Sequence, residues 1–181
     1  MYKKQTNKTA LLSQRMIAAA LLRLMKQIPF GRITVTEICE EAGVGRKTFY
    51  RNFELKEDVI EFYLDELCDV YKRGLLGIPL EQRLGYHFNF LRQHADDMIV
   101  LYNQNMTPTV IDKFSIFLPQ TMPVWSDDPV EQEYRSEYIA AGITAIVRVW
   151  VTRGFQESLD EIIGIAERAQ GYLSPTDGNT T

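Results

Sequence analysis

Cysteine is nearly absent: Cys39 and Cys68 are the only two in 181 residues. Two are too few for a disulfide framework, and their spacing matches no zinc motif. Long apolar runs are missing too. No stretch reaches the roughly 18 to 20 uninterrupted apolar residues of a membrane span; Ile139–Val151, for example, is broken by Arg148. The start, Met1-Tyr2-Lys3-Lys4, is polar and lacks the apolar core of a secretion signal. A cytoplasmic protein with reduced thiols and no membrane contact is therefore expected. Histidine is equally scarce. His87 and His94 are seven apart and share a helix face, but no carboxylate or thiolate lies at ligand spacing on that face, so no metal and no cofactor is expected. There is no Gly-x-Ser-x-Gly, no His-Glu-x-x-His and no Cys–His pair. Gly43-Val44-Gly45-Arg46-Lys47-Thr48 resembles a phosphate loop only superficially. Arg46 stands where a glycine should precede Lys47, Glu41 occupies the first glycine position, and a helix rather than a strand comes before it. Asp96-Asp97 reads as a helix N-terminus. No catalytic residue is identified, and an enzyme is not the expectation.

What is present is ordinary in amount and uneven in placement. The apolar fraction is 45% and the charged fraction 24%, both at the globular average. A chain of this length buries about 70% of its unfolded surface without a staple. The net charge is −4. Residues 1–53, however, hold ten Lys/Arg against three acids, a net of +7, and residues 54–181 hold ten against twenty-one, a net of −11. A basic head on an acidic body suits a polyanionic partner at one end only.

Helical periodicity dominates and strand signals are almost missing. Apolar residues recur at 10, 17, 20, 21, 24 and 28, and Pro29 and Gly31 end that helix. Thr34 or Thr36 offers an N-cap, and Thr34 with Glu37 has the spacing of a capping box, opening a short helix to Ala42. Gly43-Val44-Gly45 is a turn, and residues 46–53 form a third helix. A fourth is expected over 56–73, shorter ones over 81–94, 96–104 and 107–118, a proline-marked loop over 119–129, and long helices over 130–153 and 158–173. The expected fold is all-α with about nine helices. Its divisions are a three-helix helix-turn-helix domain (1–55), a larger helical domain (56–173) and a polar, disordered tail (174–181). The 130–153 helix is apolar on two sides: Tyr134, Tyr138, Ala141, Gly142, Ala145 and Val149 on one, Ile139, Ile143, Ile146 and Trp150 on the other. Both need burial, and a second copy of the chain is the simplest cover for one of them. A dimer is expected there, with Ile162, Ile163 and Ala166 of the last helix; periodicity alone does not choose the side.

Residues 35–53 carry the functional signal. Two short helices that cross steeply need a residue at positive φ between them, which Gly43 supplies. Ile38, Ala42, Val44, Phe49 and Phe53 fall where crossed helices bury side chains. Arg46, Lys47, Thr48, Tyr50 and Arg51 are then left to project, and these are residue types that reach phosphates and base edges. Lys3, Lys4 and Lys8 fit either an arm on the DNA or simple solubility.

The segment from about Lys8 to Val59 resembles the TetR-like bacterial transcriptional regulators. The matching residues are Phe30-Gly31, Ile33-Thr34-Val35, Ile38, Ala42-Gly43-Val44, Phe49-Tyr50-Arg51-Asn52-Phe53 and Lys56. The run from Ala141 to Phe155 is similar to a Firmicutes-type subgroup of that family. The resemblance implies a homodimer that binds a palindromic double-stranded DNA operator and represses. It implies phosphate contacts at Thr34, Val35, Tyr50 and Lys56, base contacts at Arg46, Lys47 and Thr48, and a contact at Asn52, where the family often has His. Gly45 stands where the family often has Ser, so a hydroxyl cap is lost. The resemblance also implies a small-molecule effector pocket in the body, for which Tyr63, Tyr86, His87, Tyr102 and Trp125 are the candidates, each pairing an apolar body with a polar tip. The alternative is a helical co-regulator that docks protein and answers no ligand.

Overall fold

The computed structural model describes residue 2 and residues 7–171. Among the described residues there is no strand, and nine α-helices follow one another: α1 (Lys8–Met25), α2 (Val35–Ala42), α3 (Arg46–Asn52), α4 (Glu57–Leu75), α5 (Arg83–Gln93), α6 (Ala95–Asn103), α7 (Thr107–Phe117), α8 (Pro129–Thr152) and α9 (Leu159–Gly171). Short 3-10 turns occupy Phe30–Arg32, Leu80–Gln82 and Leu118–Thr121. The expected tail over 174–181 lies outside the described residues, as do Lys3 and Lys4.

The chain forms two compact units. The first is Met1–Arg73 with Asn103–Met106, and the second is Gly74–Tyr102 with Thr107–Thr181. The division expected at 55/56 thus falls later, because most of α4 belongs with the head. Phe62 of α4 sits in an aromatic cluster with Phe53 and Tyr2, with ring centroids 5.8 and 5.4 Å away. The Tyr2 hydroxyl donates to Asp65 Oδ2 at 2.7 Å, and Arg15 pairs with Glu66 at 2.6 Å.

Local chemistry explains the head's geometry. Thr34 and Glu37 form the capping box, the Glu37 N–H reaching Thr34 Oγ1 at 3.3 Å and the Thr34 N–H reaching Glu37 Oε2 at 2.8 Å. These bonds to the ionised form hold the Glu37 carboxyl below its usual range. Gly43 ends α2 at φ 66°, ψ 31°, a conformation that costs other residues about 1 kcal/mol or more. Ile38, Ala42, Phe49 and Phe53 are buried together with Ile17, Leu21 and Met25 of α1, while Val44 is only half-buried.

In the second unit, Phe88, Trp150 and Phe155 form the aromatic centre, with Trp150 5.7 Å from Phe88 and 4.6 Å from Phe155. The Trp150 indole N–H donates to the Glu157 carbonyl at 3.1 Å. Arg92 Nη1 donates to the Phe155 carbonyl at 2.6 Å, securing a residue that turns the chain after α8 with φ 57°. Ser136, Ala140, Ile143, Val147 and Trp150 give α8 its buried side. Tyr134, Tyr138, Ala141, Gly142, Ala145 and Val149 all lie on the exposed side, Tyr134 at 75% and Tyr138 at 59%. The 100° rotation per residue places Ile162 and Ala166 of α9 inside the unit, fully packed. Ile163 is half-buried, its Cδ1 3.7 Å from where a Cβ on Gly85 of α5 would lie. Ile162 and Ala166, expected at a dimer interface, are therefore occupied by the subunit's own core and Ile163 in part, while Ile165, at 40%, and Ala169 are exposed.

Candidate nucleic-acid interface

The turn after α2 is closed by the Val44 N–H, which returns to the Cys39 carbonyl at 2.9 Å. Gly45 then opens α3 with no side-chain cap, as the missing hydroxyl implied. With Phe49 and Phe53 turned inward, Arg46, Lys47 and Arg51 are exposed and Tyr50 stands half in solvent, edge-on to Phe49 at 5.4 Å. Thr48 is half-buried on the same helix. Arg46, Lys47 and Arg51 have no ion-pair partner among the described residues. Elsewhere in the head, Arg23 is neutralised by Glu41 at 2.6 Å and Arg15 by Glu66. Lys8 and Arg32 are exposed as well, but among the described residues three unopposed cations stand together only on α3, the helix whose backbone turn and aromatic core fix its orientation in the head. That is the chemistry a phosphate backbone and base edges require.

Three expected contacts need correction. Asn52 is fully buried: its Nδ2 donates to the Thr48 carbonyl at 2.8 Å, and its Oδ1 meets no donor. Its position on α3 faces the aromatic core, so it cannot touch a phosphate. Lys56 directs its ammonium inward, to the carbonyls of Phe30 at 2.7 Å and Ile33 at 2.8 Å, with Nζ 4.7 Å from the Phe30 ring centroid. It braces the link between α1 and α2 rather than offering a free charge. Lys56→Met removes two charge-assisted bonds to buried carbonyls, and about 2 kcal/mol of stability should go with them; urea denaturation read at the head measures this. Thr34 Oγ1 donates to Glu37 Oε2 at 2.7 Å, so its hydroxyl proton is committed to the capping box. Val35 remains available through its main chain, because a first-turn N–H has no intrahelical acceptor.

A second feature lies wholly within the second unit. A cavity there is lined by His87, Leu91, Met98, Tyr102, Val110, Ile111, Phe114, Leu118, Thr144 and Val147. Its empty volume is about 320 Å3, solvent-open mouth included, but at its widest it admits little more than one water. No lining residue is Asp, Glu, Lys or Arg. Burial holds His87 in its neutral form, its pKa pushed down to about 4, and burial raises the Tyr102 phenol. Of the five candidates from sequence, His87 and Tyr102 line the cavity. Tyr63 is on α4 in the other unit, Tyr86 packs against Gly74, and Trp125 lies in the loop before α8 with the Arg135 guanidinium 5.9 Å from its ring. The apolar lining from α6 and α7 escaped sequence reasoning because an aliphatic cavity wall and an aliphatic core have the same periodicity. Among the described residues, no three His, Cys, Asp or Glu side chains gather where they could hold a metal, and no helix is long and apolar enough to cross a membrane.

Residues 17–61 match the bacterial regulatory proteins, tetR family. Two regulators align with the chain. The uncharacterized HTH-type transcriptional regulator YerO of Bacillus subtilis (strain 168) is 29% identical over 98 residues, covering 48% of this chain and 34% of YerO; the chain thus spans about a third of that relative's length. The HTH-type dhaKLM operon transcriptional activator DhaS of Lactococcus lactis subsp. lactis (strain IL1403) is 26% identical over 164 residues, covering 81% of this chain and 83% of DhaS. Two solved structures share the fold: the dihydroxyacetone kinase operon activator DhaS (TM-score 0.61, 20% identity, 90% of this chain and 96% of that one) and Lin0861 from Listeria innocua (TM-score 0.70, 18% identity, 94% and 96%).

Proposed function

The chain is a tetR-family transcriptional regulator with a helix-turn-helix at its N-terminus, and on that premise we propose that it binds a palindromic DNA operator as a homodimer in the cytoplasm, as a repressor released by an effector held in the second unit. The observation that carries the DNA reading is α3: four of its seven residues, Arg46, Lys47, Tyr50 and Arg51, are exposed, and the bases among them are unopposed. Support for the homodimer comes from the exposed apolar side of α8. Two heads must meet half-sites about one helical turn, ~34 Å, or a multiple apart, so a change of a few ångströms in head separation ends simultaneous docking. An effector that prefers one head separation shifts the population by its differential affinity. The cavity, which admits about one water, has to widen to hold an effector; its lining suits an uncharged, largely apolar one, because a charge there would be desolvated without a partner.

The relative DhaS is named as an activator, and it aligns over most of this chain. That favours a second reading, in which the same DNA-bound dimer raises transcription. A promoter fused to a reporter, with and without the protein, separates the two.

Selection from a pool of random duplexes tests the proposal. Wild-type protein should enrich an inverted repeat. Arg46→Ala should still retain DNA but relax the preference at one base pair per half-site, at a cost of about 1–3 kcal/mol there. No retention near ~50 mM salt would instead favour a helix-turn-helix that docks protein, since phosphate contacts are strongest at low salt.

A further inference from the structure

The link between α1 and α2 carries main-chain groups that its own 3-10 turn satisfies only in part, the Ile33 N–H reaching the Phe30 carbonyl at 3.1 Å. The last carbonyls of α1 lack intrahelical donors, and Phe30 begins a 3-10 turn with its ring buried. Two side chains from far along the sequence meet these groups. Lys56 takes the carbonyls of Phe30 and Ile33. Gln104 takes the rest: its Nε2 donates to the Met25 carbonyl at 2.6 Å and reaches the Ile28 carbonyl at 3.4 Å, while its Oε1 accepts from the Phe30 N–H at 2.8 Å. A carboxamide is the side chain that offers donors and an acceptor in one plane. A carboxylate would set negative charge against the Met25 carbonyl, and an apolar side chain of equal length would leave all three groups unmet.

The segment delivering Gln104 is built for the task. It lies between α6 and α7, yet Asn103–Met106 belongs to the first unit rather than the second. Asn105 adopts φ 60°, a left-handed conformation that Asn tolerates better than most residues, and this turns the chain back immediately after Gln104. The stretch so held runs directly into Thr34, the cap of α2, and α2 carries α3 through the Gly43 turn.

We infer that Gln104 is a positioning residue for DNA binding: its carboxamide fixes the α1–α2 link, so the segment between α6 and α7 sets the posture of the helix-turn-helix without touching DNA. The inference rests on the DNA-binding reading above. Its consequence is that the head has a control point outside residues 17–61, at Gln104, two residues after the cavity residue Tyr102.

The test is Gln104→Met in the full chain, read in two ways. Without DNA, hydrogen exchange at the Phe30 amide should speed up about tenfold or more, as expected for a lost acceptor, while amides in the middle of α8 stay as in wild type. With an inverted-repeat duplex recovered by wild-type selection, affinity should fall about tenfold with the salt slope unchanged. A lost phosphate contact would instead lower that slope by about 1. Unchanged exchange at Phe30 would overturn the clamp. Faster exchange with wild-type affinity would overturn the positioning role while leaving DNA binding intact. A wild-type protein that retains no duplex would overturn the DNA reading, and this role with it.

Discussion

Ala145→Arg should convert the protein to a monomer and weaken its hold on a palindromic duplex by about 100-fold or more. Ala145 is exposed on α8 and lies in the shallow groove between α8 and α9, beside Val149 and Ile165. In a two-fold dimer the same patch meets itself, so one substitution places two charges in the interface. Each would be desolvated in the interface beside Arg148, and the one carboxylate lining the groove, Glu157, is already paired with Arg153, so the loss is several kcal/mol per site. A monomer can still dock one head, but the second half-site then binds independently instead of at the high effective concentration that linkage provides. Sedimentation velocity reads the mass, and titration of the selected duplex reads the affinity. Ala145 does not serve the subunit's own core, so far-UV circular dichroism should keep its helical amplitude. A variant that stays dimeric would move the interface off this side of α8.

Acidification should cost the protein about 3 kcal/mol between pH 7 and pH 4 through one buried histidine. His87 is packed in the second unit, edge-on to Phe88 at 5.5 Å, and burial lowers its pKa from the ordinary 6.5 to about 4. Below pH 6.5 the unfolded chain takes up a proton that the folded chain does not, so stability falls with pH through this window and levels off below about 4. Urea titrations at pH 7 and pH 4.5 should show most of the loss in wild type and much less in His87→Gln. His94 is shifted downward as well, by burial opposed by Asp97, and is common to both proteins. Hydrogen bonds hold the Glu37, Asp58 and Glu161 carboxyls low. Their contribution is present above the ordinary carboxylate range and is lost only at still lower pH. Equal losses in the two proteins would assign the proton uptake to another group.

The helical segments and the functional helix are legible from the amino-acid order alone. The information is local there: Pro29 and Gly31 after α1, the Thr34–Glu37 capping box, and Gly43 at the one position that needs positive φ all act within a few residues. The buried set Ile38, Ala42, Phe49 and Phe53 follows from helical spacing, and it leaves Arg46, Lys47, Tyr50 and Arg51 outward by exclusion. Tertiary structure alone decided the rest. Lys56 looks like a free cation in the sequence, yet two carbonyls 23 and 26 residues away hold its ammonium. Asn52 lies among surface residues in the sequence but faces the aromatic core. Gln104 carries no signal in its neighbours, because its partners, Met25, Ile28 and Phe30, are more than seventy residues away. Helical periodicity shows that α8 is apolar on two sides, but only packing decides which one is covered. Trp150 and Ile143 meet the subunit's own core, and Tyr134, Tyr138 and Ala145 are left in solvent, because burial is a property of the whole chain and not of one helix.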